Sequence, residues 1–131
     1  MERVQVYEKV IATLYEASRA LDTEFDYSEH CYQTFILRRL QQQNITVNKE
    51  VTCKFQYKKI QYGHGRIDLL VHTGDEVIII ELKANVQNKP RAVNQLKKYL
   101  THYKTECKMR GILVMYNNLG VPIEITELAS V

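Results

Sequence analysis

The aliphatic run Val77-Ile78-Ile79-Ile80 leads without a break into Glu81-Leu82-Lys83. An unbroken apolar run of this kind marks a strand buried on both faces, and such strands lie in sheets covered by helices on either side. Glu81 and Lys83 therefore stand at the end of a central strand rather than on a loop. Two strand-like runs, Arg66 to His72 and Glu76 to Ala84, are separated by Thr73-Gly74-Asp75. Gly-Asp suits a tight hairpin, because glycine at the first central position accepts the positive φ of a type II′ turn. With Gly74 and Asp75 as the two loop residues, Asp68 falls directly opposite Glu81.

The rest of the chain supplies the covering layers. Val6, Val10, Leu14, Ala17 and Leu21 recur at three- and four-residue spacings and predict a helix over residues 3–21. Asp26-Tyr27-Ser28-Glu29 fits a capping box with Glu29 at its third helical position, opening a helix to about Gln43 with Tyr32, Phe35, Ile36 and Leu40 inward. From Ile45 the period becomes two, with Val47, Val51, Cys53, Phe55 and Tyr57 expected on one side and Thr52, Lys54, Gln56 and Lys58 on the other. Gly63-His64-Gly65 then reads as a turn. Pro90 can open a third helix to about Lys104, with Val93, Leu96, Leu100 and Tyr103 as its stripe. Gly111 to Tyr116 reads as a buried strand, which the usual right-handed strand–helix–strand crossover places parallel to Glu76–Ala84. After the turn Asn117–Gly120, Ile123 to Leu128 is a short strand, placed at an edge by Pro122. The expected order is ααβββαββ, an α/β domain spanning residues 1–131 with a mixed four- to five-stranded sheet flanked by helices.

Composition narrows the class. Of 131 residues 45% are hydrophobic and 25% charged, which suits a folded soluble chain. No run approaches the roughly 20 apolar residues of a membrane span, and Met1 to Val10 lacks a signal-peptide core, so a soluble intracellular protein is expected. Cys31, Cys53 and Cys107 are odd in number and widely spaced, which argues against a disulfide framework or a thiolate metal site. Charge is uneven: Lys83 to Arg110 holds eight basic residues and one acid, whereas the remainder is net negative. A polyanion is a plausible partner of such a segment, and a solvated lysine face is the plain alternative.

Two carboxylates held face to face repel one another, so something positive should stabilise them. Lys83 lies two residues beyond Glu81 on the same face, while Leu82 turns to the apolar side. Two adjacent carboxylates and an incoming phosphate oxygen suit Mg²⁺, or Mn²⁺, and an ammonium beside them could orient or polarise an attacking water. The alternative is a salt-bridge cluster at a hairpin end.

Gly65-Arg66-Ile67-Asp68 followed by Ile80-Glu81-Leu82-Lys83 resembles the PD-(D/E)XK nuclease superfamily, whose restriction-endonuclease-like core has the same order of elements. Within it the chain is most similar to the GxxExxY family, with Glu29-His30-Cys31-Tyr32 as its ExxY and Ile79 to Ala84 as its IIELKA strand. Two positions depart from the pattern: Asp26 stands at the first glycine, and Ile67 rather than proline precedes Asp68. The resemblance implies Asp68 and Glu81 as metal ligands, Lys83 as the water-orienting base and Glu29 as a further acid. Glu29 is also the capping residue of the reading above. Gln95 and Tyr99 resemble the QxxxY of RecB-like members, which would hold substrate or Lys83, although Tyr99 beside the core stripe can also simply pack. Lys89, Arg91, Lys97 and Lys98 on the same helix are the expected phosphate contacts.

These features lead to an expected Mg²⁺- or Mn²⁺-dependent nuclease acting on nucleic acid, DNA before RNA, selective for shape or ends rather than sequence. Resolvases of similar size and fold suggest a homodimer and a branched substrate. A non-cleaving nucleic-acid-binding module on the same fold and a protein-interaction adaptor are the alternatives. His64, between two glycines, is either a solvent residue or a phosphate contact. Tyr57, Tyr62 and Tyr116 could stack on unpaired bases or pack.

Overall fold

In the computed structural model, residues 3–85 and 88–129 are described. Two helices come first, α1 (Arg3–Ala20) and α2 (Glu29–Gln42), with a 3-10 turn at Thr23–Phe25 between them. Strands β1 (Thr46–Tyr57), β2 (Ile60–His72) and β3 (Glu76–Ala84) follow, then α3 (Lys89–His102), β4 (Lys108–Asn118) and β5 (Val121–Ala129). The strands form one sheet in sequence order, antiparallel except for the parallel pair β3 and β4. The α/β class, the element order and the parallel pair match the sequence reading. No described helix is long and apolar enough to cross a membrane.

Both faces of the sheet are covered. The α1 stripe from Val6 to Ala17, with Leu21 just past the helix, packs with Tyr32, Ile36 and Leu40 of α2 against Ile78, Ile80 and Leu82. On the other face Leu96, Tyr99 and Leu100 of α3 meet Val77, Ile79 and Leu113. Each fully buried Ile or Leu contributes about 1.5–3 kcal/mol, and because β3 is apolar on both faces through Ile80, its register is fixed by the turn joining it to β2 rather than by burial alone. That registration leaves Glu81 and Lys83 on the α3 face. Tyr32 stacks on Tyr116 with ring centroids 4.0 Å apart, and the Tyr116 hydroxyl donates to the Leu14 carbonyl at 2.8 Å. These contacts pin α1 and α2 to β4.

Four local features differ from expectation. Val47 packs on the α1–α2 face while Val51, Cys53 and Phe55 pack on the α3 face, although alternation puts all four together. The cause is Glu50, whose φ of 53° lies in the left-handed region and reverses the alternation. Opposite it, Ile67 faces α3 whereas Leu69 faces α1 and α2, so β2 changes face at Asp68. Gly63-His64-Gly65 lies within β2, paired with Phe55, Lys54 and Cys53, and the chain reverses instead at Lys58-Lys59, both at positive φ.

The capping box is also displaced. Ser28 is the N-cap, its hydroxyl accepting from the Cys31 N–H at 3.4 Å, while Asp26 closes the preceding 3-10 turn at φ 47°. Glu29 is thus the first helical residue and does not cap α2. Finally, α3 ends at His102, because Tyr103 is extended at ψ 126°.

Gly65 is required by close approach rather than by a turn. A Cβ there would stand 2.8 Å from Tyr99 Cε1 and 2.9 Å from its hydroxyl. Gly65→Ala is expected to destabilise the protein by about 1–3 kcal/mol in denaturant unfolding. Gly63→Ala, whose Cβ meets nothing nearer than Phe55 Cδ2 at 3.4 Å, should cost much less.

Candidate active site

The β2–β3 hairpin closes as the turn chemistry requires, with Gly74 at φ 104° and the Thr73 N–H donating to the Glu76 carbonyl at 3.0 Å. The register His72 with Val77 through Leu69 with Ile80 is the one expected. One step further on the strands part. Asp68 Oδ2 accepts from the Leu82 N–H at 2.7 Å, so a carboxylate takes the place of a strand partner on that edge of β3. Two residues along the same edge, Glu29 Oε2 accepts from the Ala84 N–H at 3.4 Å. Asp68 and Glu29 thus both reach the edge of the central strand at its splayed end, where Glu81 points to the α3 face.

Glu81 is 2% exposed, and its Oε2 is buried with no hydrogen-bond partner. Burial, then a hydrogen bond with Asp68 and the Asp68 charge, pushes its carboxyl up to about 10, with Glu29 adding to the rise. The Lys83 ammonium, on the same face of β3, opposes the rise. A carboxyl held against a second carboxylate with one oxygen unpartnered is the donor set that a hard divalent cation satisfies. Among the described residues no group of three or more His, Cys, Asp or Glu side chains is arranged to hold a metal. The Asp68–Glu81 pair could hold Mg²⁺ or Mn²⁺ only with water and phosphate oxygens completing the shell, which is how Mg²⁺ is commonly bound.

A second set of residues positions the first. Gln33, 7% exposed on α2 and one turn beyond Glu29, donates from Nε2 to the Asp68 carbonyl at 2.9 Å. Its four-residue spacing from Glu29 was the available signal in the sequence, and amphipathic patterning passed over it as polar. Asn117 donates to Asn85 Oδ1 at 2.7 Å and to Asp26 Oδ1 at 3.2 Å, while Asn85 donates to the Tyr27 carbonyl at 3.1 Å. This network ties the end of β3 to the turn entering α2, and so fixes Glu29 beside Ala84.

The residues of α3 divide. Tyr99, 1% exposed, donates to the Arg66 carbonyl at 2.9 Å and accepts from Gln95 at 3.0 Å. Burial chiefly, then the Glu81 charge, pushes its hydroxyl up to about 12, so it remains a donor. Gln95 and Tyr99 therefore brace β2 two residues before Asp68. Arg91, Asn94 and Lys98 recur at helical spacing along a groove of about 460 Å³ that also includes His64 and Phe55. Lys97 is exposed about 100° around the helix from Lys98. Lys89 pairs with Glu124 at 2.8 Å, so β5 shares its charge. A cavity of about 190 Å³ on the α2 side is bordered by Glu29, Gln33, Arg66 and Asp68. The larger cavity around Tyr7, Glu76 and Arg110, about 640 Å³, lies at the opposite end of β3.

Comparison with known proteins gives the family of the chain and a solved structure of similar fold. The chain belongs to the PD-(D/E)XK nuclease superfamily, whose family model matches residues 4–125. No curated protein sequence matches it. Among solved structures it is similar to the crystal structure of SSO0001, with a TM-score of 0.55 at 21% identity over 98% of this chain. The match covers 61% of that protein's chain, and at this identity the likeness is one of fold.

Proposed function

We propose that this chain is a nuclease dependent on Mg²⁺ or Mn²⁺ that hydrolyses phosphodiester bonds in DNA or RNA, with residues 1–131 acting as one nuclease-like unit. The observation that carries the reading is the pairing of Asp68 with the buried Glu81, whose Oε2 is unpartnered near Lys83. A pure nucleic-acid binder gains nothing from two acids turned together, because they oppose a polyanion. Asp68 and Glu81 would hold a divalent ion, which when bound would supply Lewis-acid stabilisation of charge building on the phosphate oxygens. Asp68 is aimed by the Leu82 N–H and by Gln33. The Lys83 ammonium orients and polarises the attacking water. Glu29 adds a third acid to this end of β3.

Kinship with the GxxExxY family is part of the same reading. Asp26 occupies the place of that family's first glycine and has φ 47°, a conformation that favours glycine and that Asp tolerates. Glu29 reaches β3, and Tyr32 is 2% exposed against Tyr116. Phosphate contact falls to Arg91 and Lys98 along the groove, with Lys97 and Lys89 more remote. These groups read backbone rather than base edges, which supports selection by shape or ends.

The test is cleavage of labelled single-stranded, duplex, flapped and four-way DNA and RNA with Mg²⁺ or Mn²⁺, against Asp68→Ala, Glu81→Ala and Lys83→Ala. Wild type should cut, chelation should stop it, and the variants should be inactive. Activity that survives all three replacements rejects the site. Gln33→Ala should lower the cleavage rate about 10- to 100-fold by releasing Asp68, while thermal unfolding shows the fold retained.

A further inference from the structure

We propose that the tip of the β1–β2 hairpin, with the C-terminal end of α3, is a stacking platform for unpaired nucleotides, so that the substrate presents a single-stranded segment. The proposal rests on the nucleic-acid reading above and names its substrate class.

Beyond Gly65 the two strands continue to the Lys58-Lys59 reversal as an arm. On this arm Tyr57, Ile60 and Tyr62 are 66%, 66% and 63% exposed, whereas Tyr116 is fully buried. Large side chains left bare together on a surface mark an interaction site. Tyr62 is exposed yet held in place. Its hydroxyl lies 3.2 Å from His102 Nε2, and its ring meets His102 edge-on at 6.0 Å and Phe55 at 6.4 Å. The strand register slips by one residue here, leaving Tyr62 without a partner in β1. Such a bulge re-aims a side chain. A ring fixed before binding loses little freedom when a base stacks on it.

Charge selects the occupant. No acid lies between Glu50 and Asp68 in a segment containing Lys54, Lys58 and Lys59, and none lies between Glu81 and Glu106. The two segments meet where the Lys98 ammonium sits 5.7 Å from the Phe55 ring centre and Lys104 donates to Gln56 Oε1 at 3.0 Å. Rings interleaved with lysines suit a strand of planar bases on an anionic backbone. The centre of a protein-docking surface is instead depleted of lysine. Phe55 belongs both to the ring cluster and to the groove lined by Arg91 and Lys98, so the platform is continuous with the groove. Tyr62 and Asp68 are six positions apart on β2, about 20 Å at roughly 3.3 Å per residue, or about six stacked nucleotides.

The test is fluorescence anisotropy of short labelled single strands and blunt duplexes in EDTA, with wild type, Tyr62→Ala and Tyr62→Phe. Tyr62→Ala should weaken single-strand binding about 10-fold with little change on duplex, and Tyr62→Phe should retain it. An unchanged single-strand affinity in Tyr62→Ala, or an equal loss on both probes, overturns the platform. So does self-association that Tyr62→Ala abolishes, which assigns the tip to a second copy. If wild type binds through Tyr62 but cuts nothing with Mg²⁺ or Mn²⁺, the nuclease reading fails and the platform stands. If it cuts while binding ignores Tyr62, the reverse holds.

Discussion

Glu81→Gln is expected to reduce metal-dependent cleavage by about 100-fold or more while leaving the protein folded. Glutamine keeps the volume of the side chain at a position only 2% exposed, and its amide can still hydrogen-bond to Asp68. What it removes is the carboxyl proton that a cation would displace to gain a charged oxygen ligand. Single-turnover cleavage, with the melting transition followed in parallel, separates this outcome from unfolding. A variant that retains more than about a tenth of the wild-type rate would remove Glu81 from the ligand set.

The same substitution should have the opposite effect on stability without metal. The Glu81 carboxyl is raised to about 10 in the folded protein from an ordinary value of 4.5, so between those limits the folded state holds a proton that the unfolded chain has released. The contribution is therefore complete below the ordinary value and is lost as pH rises through the window, by at most about 1.4 kcal/mol per pH unit for one proton. In EDTA the melting temperature of wild type should fall between pH 6 and pH 9 relative to that of Glu81→Gln. Added Mg²⁺ or Mn²⁺ should raise it for wild type and not for the variant. Parallel pH profiles for the two proteins would show that Glu81 ionises normally.

Much of the architecture was legible because apolar burial and turn chemistry act locally. The Val77–Ile80 run specified a covered central strand, and Gly74-Asp75 set the register that brings Asp68 towards Glu81. The departures occur where one backbone dihedral overrides a pattern. Glu50 at positive φ exchanges the faces of β1, which no count of alternating residues reveals. Lys58-Lys59 makes a reversal usually written Asn-Gly, so Gly63-His64-Gly65 drew the turn assignment. The Asp68–Glu81 apposition was visible as register, but the parting of the strands was not, since it depends on Gln33 and Glu29 arriving from α2. The basic character of α3 was evident in composition, whereas the pairing of Lys89 with Glu124 needed the position of β5.

The parting of β2 from β3 makes the backbone itself a reporter. The amides of Leu82 and Ala84 donate to acidic side chains rather than to a neighbouring strand. Any ligand that draws on Asp68 or Glu29 competes for the oxygens those amides use. Site occupancy is thereby coupled to deuterium uptake at two positions near the end of the central strand, where protection factors can follow loading with catalysis absent.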